Sequence, residues 1–96
     1  LYCVTDSTAA SGMPDGDYQL GRQVVTKCLG GVRLANGTLA GSALTMDQAL
    51  RNLVLRIGLS LGDASDRVSA FPARYLGIAD RGRLERGAWA DIAVLD

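Results

Sequence analysis

The sequence predicts a small α/β chain, because two kinds of apolar pattern follow one another along its 96 residues. A run of strand-forming residues opens the chain at positions 1–5 (LYCVT), and a second run closes it at 91–95 (DIAVL). From Thr45 onward, apolar residues recur at the three- and four-residue spacing of an amphipathic helix. Strands at both ends, with helices before the second of them, indicate a mixed fold.

The stretch after the opening run predicts a loop and then a hairpin. It is crowded with Ser, Gly, Pro and Asp, and Pro14-Asp15-Gly16 is typical of a turn. Residues 23–29 (QVVTKCL) and 32–34 (VRL) flank Gly30-Gly31, which predicts a β-hairpin with its turn at the two glycines. Asn36-Gly37 marks a further turn.

The first predicted helix begins after Thr45. Thr45 and Gln48 have the spacing of a capping box, and Gly58 is a natural stop. The apolar residues at helix spacing are Met46, Leu50, Leu53, Val54 and Ile57.

Two shorter helices are predicted beyond it. One begins near Ser60 or Leu61 and runs towards Ala70. Pro72 then opens another, because proline is tolerated in a first turn, and Gly77 ends it.

Composition excludes several classes of function. Lys plus Arg is 10 and Asp plus Glu is 10, so a formal net charge of zero gives nothing to attract nucleic acid or an anionic membrane. No apolar run approaches the roughly 18 to 20 residues that span a bilayer, and no signal peptide opens the chain. We expect a cytoplasmic protein. Because Leu1 stands inside an apolar run, we also expect a piece of a larger fold.

Three segments, in order along almost the whole chain, together carry a resemblance to a known family. The first is Val4-Thr5-Asp6 with Ser7-Thr8-Ala9 and Gly12. The second runs from Asn36-Gly37-Thr38 through Leu39-Ala40-Gly41-Ser42 to Met46 and Arg51-Asn52-Leu53-Val54. The third comprises Pro72-Ala73-Arg74, Leu76-Gly77, Asp80-Arg81-Gly82, Gly87 and Ala90-Asp91 to Asp96. The chain resembles the N-acetylglucosamine-6-phosphate deacetylases of the amidohydrolase superfamily, with N-acetylgalactosamine-6-phosphate deacetylase a close second.

The resemblance implies the C-terminal part of a (β/α)8 TIM-barrel amidohydrolase, with a strand returning to a small β-sandwich domain. A whole barrel takes about 250 residues, so this chain could hold only its end. Residues 1–86 would supply the last barrel strand, an inserted hairpin region and the closing helices. Residues 87–96 would supply the sandwich strand.

Asp6 follows the opening run directly, where barrel enzymes place catalytic side chains. From the residue alone, an aspartate that caps a loop is the commoner interpretation. The resemblance implies that Asp6 is the general base and acid, which takes a proton from a metal-activated water and then protonates the leaving amine. A carboxylate suits this task because a bound divalent cation lowers the pKa of water into reach of a weak base.

Leu39, Ala40 and Gly41 match a family stretch that contacts the substrate, mostly through backbone groups. A glycine allows close approach of the backbone to a ligand. The alternative is an ordinary turn that leads into Thr45. The resemblance thus implies that these three residues bind the substrate.

Other charged residues are weaker candidates. Arg22, Lys27, Arg33 and Arg51 could each hold a phosphate, but solvated surface charge is the commoner role. The chain has no histidine, so no metal ligand is assigned here. The resemblance implies a divalent metal ion whose ligands, a glutamate and histidines, lie outside this chain. We therefore predict that the isolated chain is inactive.

The predicted function is hydrolysis of the acetamide of N-acetyl-D-glucosamine 6-phosphate to glucosamine 6-phosphate and acetate, in amino-sugar catabolism. The galactosamine epimer is an alternative substrate. A non-catalytic α/β interaction module is an alternative from another class. The expected partners are a small sugar phosphate and further copies of the chain in a homo-oligomer, with no nucleic acid and no membrane.

Overall fold

The structure is a computed structural model that describes all 96 residues. The chain forms two compact units. One comprises residues 4–49 and contains a four-stranded sheet. The other comprises residues 1–3 and 50–96 and contains two short helices. A further helix runs from the first unit into the second.

The sheet is an antiparallel meander in which each strand pairs with the next one along the chain. Its strands are β1 (Gly16–Leu20), β2 (Gln23–Cys28), β3 (Gly31–Leu34) and β4 (Leu39–Ser42). The predicted hairpin is confirmed, since β2 lies within the first of the two runs that indicated it and β3 comprises the second run with Gly31 added. Strands β1 and β4 were not separated from the surrounding loops by the sequence pattern.

A small apolar core lies on one face of the sheet. Val25 and Val32 are fully buried together with Ala10 from the loop before β1. Val25 stands opposite Tyr18 on β1 and opposite Leu34 on β3, and both neighbours pack on the same cluster. Burial of each valine contributes about 1.5–3 kcal/mol to the stability of the fold. Because the buried cluster is small, the stability of this unit depends on few side chains.

The turn between β2 and β3 is one residue earlier than predicted. Cys28 pairs with Gly31, which leaves Leu29 and Gly30 as the two turn residues. Their φ values are 50° and 81°, the positive pair of a type I′ turn. Gly31 is a strand residue, because the right-handed twist of a hairpin favours a two-residue turn of this type.

Replacing Leu29 by asparagine should stabilise the chain by about 1 kcal/mol, because asparagine tolerates positive φ better than leucine does. The Leu29 side chain is 94% exposed, so little packing is lost. Urea unfolding of both proteins measures the difference. Leu84→Asn is the control, since Leu84 is also exposed but does not have positive φ. An equal effect of the two substitutions would contradict the assignment of strain to Leu29.

All three predicted helices are present. They are α1 (Met46–Leu55), α2 (Leu61–Val68) and α3 (Ala70–Tyr75). The backbone of Gly58 beyond α1 has φ 82°, as a helix stop requires. Ser60 caps α2, because its side chain accepts a hydrogen bond from the Asp63 N–H at 3.1 Å. None of the helices has the length and apolar character needed to cross a bilayer.

Helix α3 begins two residues before the predicted proline. Pro72 occupies its third position, where the missing N–H would have had no partner within the helix. The helix ends at Tyr75, and the predicted stop residue, Gly77, follows the cap residue Leu76 with φ 69°. The Ile78 N–H donates to the Ala73 carbonyl at 2.9 Å and the Gly77 N–H to the Arg74 carbonyl at 3.1 Å, which is a Schellman motif.

The two predicted terminal strands are absent. Neither residues 1–5 nor residues 91–95 form strand structure. Near the end of the chain, the Asp91 carboxylate pairs with Arg81 at 2.8 Å, while Val94 is 92% exposed. Strand-forming side chains are not sufficient, because a strand also needs a neighbour for its backbone hydrogen bonds, and no strand pairs with either run.

Candidate active site

The backbone of Asp6 has an unusual conformation. Its φ is 51°, in the left-handed region that non-glycine residues rarely adopt. Aspartate tolerates this region better than most residues with a side chain do, and the conformation persists where surrounding contacts hold it. Asp6 is exposed, so its carboxylate is open to a ligand. This accessible carboxylate, on a backbone in an uncommon conformation, is therefore a candidate functional group.

Strand β4 runs beside the Asp6 segment. The Ser42 N–H donates to the Asp6 carbonyl at 2.8 Å, and the Thr8 N–H donates to the Ser42 carbonyl at 3.1 Å. Ser7 and Ser42 form a parallel bridge. The loop that carries Asp6 is thus fastened to the end of the sheet, although the two segments are more than 30 residues apart in sequence.

Gly41 brings the predicted binding segment close to the predicted carboxylate. A Cβ added at Gly41 would lie 3.1 Å from the Asp6 carbonyl oxygen and 3.8 Å from Asp6 Oδ2. It would also lie 2.7 Å from Thr8 Cγ2. Asp6 and Gly41 therefore share one surface of the unit formed by residues 4–49.

The predicted binding residues form β4 itself rather than a turn. Leu39 pairs with Arg33 and Gly41 with Val32, so Ala40 is an extra residue in a β-bulge. Bulges redirect backbone and side chains and are frequent beside functional sites. The Ala40 side chain packs against the core, whereas Leu39 is 63% exposed. Leu39 and Gly41 thus flank an irregularity in the strand next to Asp6.

Two of the four basic residues considered for phosphate binding donate hydrogen bonds to backbone carbonyls of the chain. Arg33 Nη1 donates to the Gly37 carbonyl at 3.0 Å, and Lys27 Nζ donates to the Met13 carbonyl. Arg22 and Arg51 are exposed. None of these contacts brings a cation to Asp6, so a phosphate site beside the carboxylate has no support from them.

No group of three or more His, Cys, Asp or Glu side chains converges in a way that could hold a metal ion. Asp6 is a single exposed carboxylate, and a divalent cation needs several ligands. The residues of this chain therefore do not fit a metal site.

Two residues of the site were missed by sequence reasoning. Thr8 and Ser42 contact the backbone and surroundings of Asp6, yet they were treated only as parts of longer motifs. Both lie inside the segments that carry the family resemblance. Motifs that occur together in a family can lie close together in space. Their joint presence was therefore the sequence signal that could have linked Thr8 and Ser42 to the site.

Comparison with known proteins finds similar sequences among sugar-phosphate deacetylases. No protein-family model matches the chain. It is 41% identical over 96 residues to the N-acetylglucosamine-6-phosphate deacetylase of Lysinibacillus sphaericus, covering 100% of the chain and 25% of that protein. It is 43% identical over 97 residues to the N-acetylgalactosamine-6-phosphate deacetylase of Escherichia coli O157:H7, covering 100% of the chain and 26% of that protein.

A solved structure extends the similarity to the fold. The N-acetylglucosamine-6-phosphate deacetylase from Pasteurella multocida matches with a TM-score of 0.82 at 32% identity, over 91% of this chain and 23% of that one. The chain thus spans about a quarter of the length of each of these relatives. By sequence and by fold, the chain is similar to one segment of the N-acetylglucosamine-6-phosphate deacetylases, and it is similarly close to an N-acetylgalactosamine-6-phosphate deacetylase.

Proposed function

We propose that this segment supplies the catalytic carboxylate of an enzyme that hydrolyses N-acetyl-D-glucosamine 6-phosphate to glucosamine 6-phosphate and acetate, in amino-sugar catabolism. The observation that carries the proposal is the closeness of Asp6 Oδ2 to Gly41, 3.8 Å from the position of an added Cβ. A carboxylate and a backbone segment that could hold a sugar lie side by side, as the deacetylation of a bound sugar requires.

Asp6 is the proton-transfer group in this proposal. Its carboxylate accepts a proton from the water whose oxygen adds to the acetamide carbon. The same proton is then delivered to the nitrogen as the C–N bond breaks, because an amine leaves far more readily than an amide anion. The products are the free amino sugar and acetic acid, which loses its proton to become acetate, and the carboxylate of Asp6 returns to its ionised state.

Leu39, Ala40 and Gly41 position the substrate in this proposal. The bulge at Ala40 and the absence of a side chain at Gly41 let a ligand approach the backbone closely. An amide or hydroxyl of the sugar can then contact main-chain groups beside the Asp6 carboxylate. Main-chain contacts fix orientation without a long side chain that must be ordered.

The family resemblance also implies a divalent metal ion, but the residues of this chain do not fit one. Its ligands would belong to other parts of the enzyme. Within that enzyme, we propose that residues 1–86 complete a TIM barrel and that residues 87–96 contribute to a small β-sandwich domain.

Many large apolar side chains of the chain are exposed, including Leu1 at 96% and Leu29 at 94%. Exposed apolar surface favours packing against further protein. We propose that this surface meets the remainder of a larger enzyme and, in a homo-oligomer, other copies of it.

A graft tests the proposed function. In the grafted deacetylase, these 96 residues replace the matching quarter of the Lysinibacillus sphaericus enzyme. We expect release of acetate from N-acetyl-D-glucosamine 6-phosphate by the grafted deacetylase and none by the isolated chain with divalent metal added, because the chain gathers no metal ligands. Turnover by the isolated chain would contradict this division of roles.

The galactosamine epimer is the second candidate substrate, favoured by 43% identity to the Escherichia coli O157:H7 protein. The same assay with N-acetyl-D-galactosamine 6-phosphate compares kcat/KM for the two sugars. A well-folded graft that hydrolyses neither sugar would favour the non-catalytic module instead.

A further inference from the structure

Ser42 donates hydrogen bonds to the two backbone carbonyls that flank the φ and ψ bonds of Asp6, those of Thr5 and of Asp6 itself. Its hydroxyl donates to the Thr5 carbonyl at 2.6 Å. Its N–H donates to the next carbonyl along the chain, that of Asp6, at 2.8 Å. A single residue of β4 thus holds two successive carbonyl groups.

Successive carbonyls can meet the same residue only in certain backbone conformations. In an extended backbone they point to opposite sides, whereas at helix-type dihedral angles they point to the same side. Asp6 lies between the two carbonyls and has φ 51°, in the left-handed helical region. The two bonds from Ser42 and the unusual conformation of Asp6 are therefore parts of one arrangement.

The Ser42 hydroxyl is itself held in place. While it donates to Thr5, its oxygen accepts a hydrogen bond from the Leu44 N–H at 2.9 Å. The Ser42 carbonyl accepts from the Thr8 N–H at 3.1 Å. With donor and acceptor roles both fixed and the residue half-buried, the hydroxyl has little freedom to rotate away.

We propose that Ser42 is a positioning residue for Asp6: its hydroxyl holds the backbone in the left-handed conformation that directs the carboxylate to the reacting acetamide. The inference rests on the proposed function of Asp6 and adds a residue that acts through it. Ser42 does not touch the substrate in this scheme. Its loss should affect the rate of the chemical step more than the binding of the sugar.

Two measurements test the role of Ser42. NMR couplings and chemical shifts of the full chain report the φ of Asp6, and kinetics of the grafted deacetylase report kcat and KM separately. For Ser42→Ala, we expect Asp6 to leave positive φ and kcat to fall by about 10²-fold, with KM close to that of the parent graft. Ser42→Thr keeps the hydroxyl and should restore both properties.

Two further variants control for stability. Ser11→Ala removes a hydroxyl that bonds to the nearby Ala43 and Leu44 carbonyls but to neither Thr5 nor Asp6, so the φ of Asp6 and kcat should not change. Ser42→Cys fills the space with a poor donor, so it should lower kcat in a folded protein even if Ser42→Ala unfolds.

The outcomes separate this inference from the proposed function. If Asp6→Asn abolishes turnover but Ser42→Ala and Ser42→Cys leave the φ of Asp6 and kcat unchanged, Ser42 is not a positioning residue. If Asp6→Asn retains full turnover, the proposed function fails first, and the NMR measurement alone decides whether Ser42 controls the backbone of Asp6.

Discussion

Replacing Asp6 by asparagine in the grafted deacetylase should lower kcat by about 10²- to 10⁴-fold, the usual contribution of a general acid–base group. Asparagine has nearly the same shape and also tolerates positive φ, so the backbone at φ 51° should persist. It cannot accept the proton of the attacking water. Binding of N-acetyl-D-glucosamine 6-phosphate, measured by titration calorimetry, should remain close to that of the parent graft.

A matched substitution shows whether the loss is specific to this carboxylate. Asp17 lies on β1 in the same unit, and its exposed carboxylate accepts a hydrogen bond from the Thr26 hydroxyl at 2.7 Å. Asp17→Asn removes the same charge without touching the candidate site and should leave kcat near the parent value. Near-normal turnover of the Asp6→Asn variant would remove Asp6 from the mechanism.

Replacing Gly41 by alanine should destabilise the chain by about 1–3 kcal/mol, as overpacking typically does. The new methyl group would lie 2.7 Å from Thr8 Cγ2 and 3.1 Å from the Asp6 carbonyl oxygen, and the latter is backbone that cannot rotate away. The φ of 131° at Gly41 adds strain for any residue with a Cβ. Urea unfolding of the chain measures the loss, and turnover of the grafted deacetylase should fall with it.

Two variants separate the steric contact from backbone strain. Gly37 has φ 85° and open space around it, so Gly37→Ala adds only the strain. Thr8→Ser removes the methyl group that the new side chain of Gly41→Ala would meet, while keeping the hydroxyl that accepts from the Ala10 N–H at 3.3 Å. We expect Thr8→Ser to recover part of the loss in a double mutant. An equal cost for Gly41→Ala and Gly37→Ala would show that the contact with the Asp6 loop is absent in solution.

Local sequence signals predicted the helices well. The apolar spacing after Thr45 predicts α1, the stop at Gly58 is present, and α2 begins beside Ser60 as predicted. These features depend on residues three or four apart, so nearby sequence contains the information that determines them. Even so, the predicted helix was too long at its C-terminal end, since Ile57 lies beyond α1 and is 67% exposed.

Features that depend on pairing were harder to predict. The sequence predicts a turn at Gly30-Gly31, but the register of β2 with β3 makes Leu29 a turn residue despite its poor fit to positive φ. Residues 91–95 have strand-forming side chains and still form no strand, because no strand of the chain pairs with them. In both cases the deciding hydrogen bonds join separate segments of the backbone.

In the candidate site too, some residues were predictable from the sequence, whereas contacts between distant segments were not. Asp6 and the Leu39–Gly41 segment were found through the family resemblance, and the structure brings the carboxylate near Gly41. The role of Ser42 depends on a hydrogen bond to the Thr5 carbonyl, which is 37 residues away in sequence. No local sequence pattern predicts that a serine at the end of one strand holds the backbone of an aspartate far away in sequence.

A crystal structure of the grafted deacetylase carrying Asp6→Asn, with N-acetyl-D-glucosamine 6-phosphate bound, would locate the acetamide relative to this segment. We expect its carbonyl carbon to lie within reach of one bridging water from the side chain of residue 6, with the sugar against the backbone of Leu39–Gly41. A sugar held in a cleft that neither residue 6 nor Gly41 lines would contradict the assignment of this segment to catalysis.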